Sequence, residues 1–326
     1  MKIRVPEYFL SFRCIADKCR DSCCIGWEID VDEQTRAKYA SLECDLGREI
    51  AEKTSHGCFP LTENGRCSFL DERGLCRIIS TLGEGYLCDI CREHPRYYGV
   101  GDGVIDGGLG LGCEEAARII LSLKELPCLI EIEKDVHYSD EDEYASVSES
   151  LREALFSKIF TLDIHTLVGA YIDCAALADE MAFTVSTGGE YTEPYELDER
   201  KATNDELSEL YDSFLALVSE CEPLTEDWDD LVARVRAHET KNALNTLDTS
   251  RGLLYYFTHR YVREGVEDMS LSRRIILAIG SALAVAALSE LLDGDEPIVL
   301  AAVEYSKNIE YSTDNVDYIL ENIEIM

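Results

Sequence analysis

The chain has 326 residues, 46% of them hydrophobic and 29% charged, a composition that excludes a disordered protein and supports a buried core. Its formal net charge of −35 excludes a nucleic-acid binder, which needs Lys and Arg to neutralise phosphates, and favours partners with exposed lysines. The charge is uneven: residues 1–128 hold 16 Lys+Arg against 22 Asp+Glu, and the rest of the chain carries a net −29.

Met1 to Phe12 lacks the basic stretch and long apolar run of a secretory signal, so the chain reads as cytoplasmic. Turn formers at Glu63-Asn64-Gly65, Asp71-Glu72-Arg73-Gly74 and Gly83-Glu84-Gly85 then punctuate a region with little helical periodicity. Within it, Asp32 to Lys53 reads as a helix with Asp32 or Asp30 as N-cap, and Cys113 to Leu123 reads as another with acidic residues in its first turn. Leu129 to Val136 alternates apolar and acidic residues and predicts a short strand. Apolar spacing predicts helix from Ser148 to Met181, a loop over Thr184–Asp198, then helices over Asp205–Cys221, Asp227–Thr246, Thr249–Glu264 and Leu271–Leu292. Pro297 sits at the first position of a helix running to about Asn308, and Val316–Glu324 forms a last one. The uncharged run Ile275–Ser289 has 15 residues, short of the roughly 20 that span a bilayer, so it reads as a buried helix and no membrane contact is expected. The fold class is mainly α: a cysteine-rich, irregular metal-binding module over residues 1–128, then a mostly helical acidic domain over residues 129–326.

Twelve of the 14 cysteines lie in residues 1–128, and only Cys174 and Cys221 lie beyond. In a cytosolic chain such clustering points to metal ligands rather than disulfides. The candidates are Cys14, Cys19, Cys23, Cys24, Cys67, Cys76, Cys88, Cys91 and Cys113. Cys88-x2-Cys91 can place two sulfurs on one metal, whereas the adjacent Cys23 and Cys24 are too close for a mutual disulfide and are expected to face different partners. Cys44, Cys58 and Cys128 stand outside the tight groupings and read as non-ligands, while His56 and His94 are possible additional ligands. Four-cysteine zinc sites usually show two x2-spaced pairs, and here there is one. An iron–sulfur cluster of the 4Fe-4S type, which takes four thiolates, accepts more varied spacing and leads over zinc. A radical C-x3-C-x2-C motif is absent because position 26 is Gly26. Gly99 to Gly112 superficially matches a nucleotide-binding loop, but no hydrophobic strand precedes it, and a β-hairpin leading to Cys113 is expected instead.

The order Asp21-Ser22-Cys23-Cys24-Ile25-Gly26-Trp27, Cys67-Ser68-Phe69-Leu70, Gly74-Leu75-Cys76-Arg77-Ile78, Leu82-Gly83-Glu84, Leu87-Cys88-Asp89-Ile90-Cys91, Pro95-Arg96 and Cys113-Glu114-Glu115-Ala116-Ala117-Arg118 resembles the flagellin lysine-N-methylase family. The N-terminal part is also similar to a broader zinc- or iron-chelating cysteine-cluster family. The tail Ser306-Lys307-Asn308-Ile309-Glu310-Tyr311-Ser312 resembles the end of the methylase family, and Glu114 stands where that family usually has proline. The resemblance implies methyl transfer from S-adenosylmethionine to lysines of a protein substrate, flagellin in that family, by a chain carrying an iron–sulfur centre. The alternative is a non-catalytic zinc- or iron-binding or redox protein. Lysine methylation needs a neutral amine, so an acidic or tyrosine-lined cleft is one expectation for Tyr255, Tyr256, His259 and Tyr261; their helical spacing predicts core packing instead. Neither the catalytic base nor the donor site can be read from the sequence.

Overall fold

The computed structural model describes residues 1–20, 22–101, 104–134, 146–189, 197, 199–237, 241–263 and 270–325. The chain begins with β1 (Lys2–Pro6), β2 (Ile29–Asp30), α1 (Glu33–Ala40), α2 (Asp45–Lys53), β3 (Cys58–Phe59), α3 (Arg77–Leu82) and α4 (Asp89–Glu93). It continues with β4 (Arg96–Gly101), β5 (Val104–Leu109), α5 (Glu114–Leu121), β6 (Leu129–Glu133), α6 (Ser146–Ile159), α7 (Ile164–Ser186) and α8 (Asn204–Glu220). Six more helices complete it: α9 (Trp228–Arg236), α10 (Lys241–Thr249), α11 (Gly252–Tyr261), α12 (Leu271–Ser289), α13 (Pro297–Tyr305) and α14 (Thr313–Asn322). The described chain is therefore mostly helical, as expected.

Several expected helices are split, two of them at a local cap. The stretch from Asp32 to Lys53 breaks after Ala40, because the Cys44 sulfur caps α2 by accepting the Gly47 amide at 3.3 Å. Asp32 caps α1, as anticipated, accepting the Thr35 amide at 2.8 Å. The stretch from Ser148 to Met181 breaks before Asp163, which caps α7, and α7 runs on to Ser186. The expected helix Asp227–Thr246 is α9 followed by α10, with residues 238–240 outside the described set. Most of the expected loop Thr184–Asp198 also lies outside it. The glycine-rich stretch forms the strands β4 and β5, the expected hairpin arms.

The chain divides into two compact units, one of residues 1–11, 98–108 and 117–326, the other of residues 12–97 and 109–116. A single boundary at residue 128 does not describe this division. Strand β1 belongs with the larger unit because it pairs in parallel with β5 and antiparallel with β6, in a sheet of order β4-β5-β1-β6.

In the larger unit α12 packs against α7, α8, α10, α11 and α13. It is long and apolar enough to cross a bilayer, but nearly all of it is covered by those helices. Close approach explains two glycines: a side chain at Gly280 would strike the Phe214 ring, and one at Gly252 would strike the Ile120 carbonyl. A buried polar network crosses this core. Arg4 and Asp106 are cross-strand neighbours and pair at 2.7 Å; Asp106 also takes Arg152 at 2.7 Å, while Glu149 takes both arginines. Burial pushes the Asp106 carboxyl up, but the Arg4 hydrogen bonds and the Arg152 charge outweigh it and hold it well below the usual carboxylate range.

The smaller unit has a compact core of Ile29, Val31, Tyr39, Leu46, Ile50, Phe59, Phe69, Ile78 and Cys88. Its only regular sheet among the described residues is the two-residue pairing of β2 with β3. Single bridges such as Ile25 to Arg66, Leu61 to Cys67 and Leu70 to Cys76 carry the remaining extended segments.

Candidate metal centre

All nine candidate cysteines fall in the smaller unit. Short-range backbone geometry places them. The Cys67 amide donates to the Cys24 carbonyl at 2.8 Å, which joins the first cysteine loop to the second. Cys76 and Cys88 occupy the N-cap positions of α3 and α4, and Cys91 follows one turn after Cys88. Asp32 reaches across from the start of α1 to accept the Asp89 amide at 3.1 Å, which fixes the start of α4 beside α1. Cys67, Cys76 and Cys91 pack against the same core that contains Cys88.

The thiols influence one another's ionisation. Burial first, then Cys24, Cys76 and Cys88, pushes Cys67 up to about 11, although the Phe69 amide opposes this. Cys76 is raised by burial and by Cys24 and Cys88, against the amides of Ile79 and Ile78. A hydrogen bond with Cys91 holds Cys88 down and keeps the proton on Cys91, which also senses Cys24 and Cys23. In the same way a hydrogen bond with Cys23 pulls Cys24 down to about 7 and pushes Cys23 up. The two adjacent cysteines share Cys91 as a neighbour and otherwise differ. Cys24 acts on Cys67 and Cys76, while Cys23 is acted on by Cys113 and Cys14. Cys19 is turned to Glu114, its sulfur donating to the carboxylate at 3.5 Å.

Thiols are the donors that soft metals prefer, and Cys67, Cys76 and Cys91 lie against the apolar core that contains Cys88. Among the described residues, however, no group of three or more His, Cys, Asp or Glu side chains is placed so that it could hold a metal ion. All fourteen cysteines are described and free of disulfides. Of the two histidines, His56 is exposed, whereas the Nε2 of His94 is buried without a hydrogen-bond partner. Burial pushes His94 down to about 4, helped by the charge of Arg96.

Comparison with known proteins decides the lineage. The chain is 34% identical over 127 residues to the lysine-N-methylases of Salmonella typhimurium and Salmonella choleraesuis, a match covering 36% of this chain and 32% of each of those proteins. It is 33% identical over 127 residues to the flagellar biosynthetic protein FliU of Salmonella muenchen, covering 75% of that protein. The chain belongs to the lysine-N-methylase and FliU family. It spans about a third of the length of the methylases it matches. No protein-family model and no solved structure matches it.

Outside the thiol group, family membership leaves several expected residues in structural roles. Cys44 is a helix cap, Cys58 lies within 3.9 Å of Glu28, and Cys128 is exposed. Cys174 and Cys221 are buried in the helical unit. Tyr255, Tyr256, His259 and Tyr261 are all buried in α11, the core packing that their spacing predicts. The tail segment 306–312 begins with one turn of π-helix, Ser306–Glu310. Its Glu310 accepts from the Tyr256 and Tyr261 hydroxyls at 2.9 and 3.0 Å and from Arg260 at 3.0 Å, and its Asn308 accepts the Leu224 and Thr225 amides.

One feature escaped the sequence reading. The buried Glu114 carboxylate takes the Arg20 amide at 2.7 Å and the Arg20 guanidinium at 2.9 Å, besides the Cys19 sulfur. It clamps the first cysteine loop to the residue beside Cys113. The acidic residue in the first turn of α5 was visible in the sequence, but its partner 94 residues away was not.

Proposed function

We propose that this chain is a protein-lysine N-methyltransferase, using S-adenosylmethionine and acting on a substrate with exposed lysines such as flagellin. The observation that carries this reading is the 34% identity to proteins named lysine-N-methylase. In such a reaction the neutral lysine nitrogen forms a bond to the methyl carbon, the sulfonium–methyl bond breaks, and a base takes the proton. The net −29 beyond residue 128 supports a basic protein substrate by drawing it in from solution.

In this reading the thiols of Cys24, Cys67, Cys76, Cys88 and Cys91, with Cys14, Cys19, Cys23 and Cys113 beside them, hold an iron–sulfur cluster or zinc. A bound metal would supply cross-links to a unit with a small core. The test is incubation with methyl-labelled donor and a lysine-rich protein, followed by mass spectrometry of its lysines. Label on lysine side chains supports the transferase; donor binding and methylation both absent would sink it. A second reading, a metal-binding or redox protein without transfer chemistry, is favoured by one observation. The match covers about a third of the methylases, so the shared region need not be the one that transfers methyl. Stoichiometric metal without methylation would establish that reading.

A further inference from the structure

The loop between α8 and α9 is strapped to the tail of the chain by two buried asparagines. Asn308 accepts the amides of Leu224 and Thr225 at 2.9 and 3.0 Å, and Asn315 exchanges hydrogen bonds with the backbone of Glu222, each at 2.9 Å. The tail itself is fixed in two places. The Tyr311 amide closes the π-turn on the Ser306 carbonyl at 3.0 Å, and Ser312 caps α14 by accepting the Asn315 amide at 3.1 Å. This frame keeps three large side chains out of the core: Leu224, Tyr311 and Tyr318 are 48%, 42% and 36% exposed. Tyr318 lies one helical turn beyond Asp314 and shares its face. The surrounding charge has one sign. Residues 219–233 hold six acidic residues and residues 308–326 hold five, and neither stretch contains a Lys or Arg. Of these acids only Glu310 is buried; the flanking cations are Arg234, paired with Asp230 at 3.7 Å, and Lys307.

We propose that this face docks a lysine-bearing segment of the protein substrate, with Leu224, Tyr311 and Tyr318 as anchors and the exposed Glu222, Glu226 and Asp314 around them. The inference rests on the reading of the chain as a protein-lysine methyltransferase, and it gives that substrate a place to bind. A lysine ammonium gains from the face of a tyrosine ring and from nearby carboxylates, while its methylene stem gains from apolar surface such as that of Leu224. Anchors already held by a hydrogen-bonded frame cost little to order on binding. A second copy of the chain would bring like charges together here, so the charge favours a basic occupant.

The experiment measures binding of fluorescently labelled flagellin monomers to the full chain by anisotropy, at low and at physiological salt. Wild type is compared with four double variants. Tyr311→Ala/Tyr318→Ala removes the rings, and Tyr311→Phe/Tyr318→Phe keeps them. Glu222→Gln/Asp314→Asn removes two charges of the face, and Glu153→Gln/Glu209→Gln removes two exposed charges on α6 and α8. All these positions are exposed, so thermal unfolding should be alike in every variant. The alanine pair is expected to weaken binding about 5–30-fold, the loss of two cation–π contacts. The phenylalanine pair binds as wild type does, and the Glu222/Asp314 pair binds more weakly with less dependence on salt. The Glu153/Glu209 pair matches wild type. Unchanged binding in the alanine pair overturns the proposal, as does equal weakening in both charge pairs, the mark of a diffuse field. Self-association of the chain that is lost in the alanine pair makes a second copy the occupant and also overturns it. Methylation of flagellin with binding unaltered in the variants overturns this proposal alone. Ring-dependent binding without any methylation supports the docking face and overturns the transferase reading; neither binding nor methylation overturns both.

Discussion

In the helical unit every residue from Ile275 to Ser289 is buried, and α12 packs against seven other helices. In the cysteine-rich unit the core is nine residues, one of them Cys88, gathered from short helices, turns and isolated bridges. The first unit has the area to be held by hydrophobic burial, at about 25 cal/mol per Å² of apolar surface. The second gains little from that term and has thiols where a larger protein would have aliphatic side chains. The difference teaches how to separate the two: reagents that act on metal and thiols should strike one unit, and core, charge and cap substitutions should strike the other.

The largest expected effect lies in the cysteine-rich unit. On the proposed metal reading, Cys88→Ser and Cys91→Ser should each abolish metal binding and unfold that unit, whereas Cys174→Ser, buried far from the thiol group in sequence and in a different unit, should change neither. Metal analysis with amide hydrogen exchange checks this, and equal metal loss in all three variants would break the comparison. Next comes the buried charge network. Arg152→Leu leaves Asp106 with half of its ion pairing in a site that excludes water, and should cost about 3–5 kcal/mol in urea unfolding of the helical unit without altering metal content.

A third effect is set by pH. Burial, only partly offset by Asp106, pushes His259 down to about 3, against about 6.5 in an unfolded chain. Between those values the unfolded chain binds a proton that the folded one refuses, so stability falls as pH drops through that window and is fully present above about 6.5. The slope from this group is at most about 1.4 kcal/mol per pH unit. His259→Phe, which retains stacking on Phe156, should flatten it; unfolding midpoints at pH 7, 5.5 and 4.5 for both proteins give the difference. The smallest effect is at the start of α8, where Thr203 and Glu206 form a reciprocal capping box. Thr203→Ala should cost about 1 kcal/mol, seen as a small drop in the melting temperature of the helical unit alone.

The sequence by itself determined what acts over a few residues. Asp32 was legible as a cap, Pro297 as the first residue of a helix, and the apolar periods of α8, α11 and α12 as buried faces. The concentration of cysteines and their x2 and x3 spacings likewise marked the region that the structure gathers into one unit. Caps, periodicity and ligand spacing are local physics, and they survive without knowledge of the fold. Only the tertiary structure decided the rest. It set β1 between β5 and β6, joined Arg4 to Asp106 and Arg152, and brought Glu114 onto Arg20 and Cys19. It also buried the His94 nitrogen near Trp27. These contacts join residues tens to more than a hundred positions apart. A charge or donor carries no record in sequence of the distant group that will desolvate or pair with it, and packing alone chooses that partner.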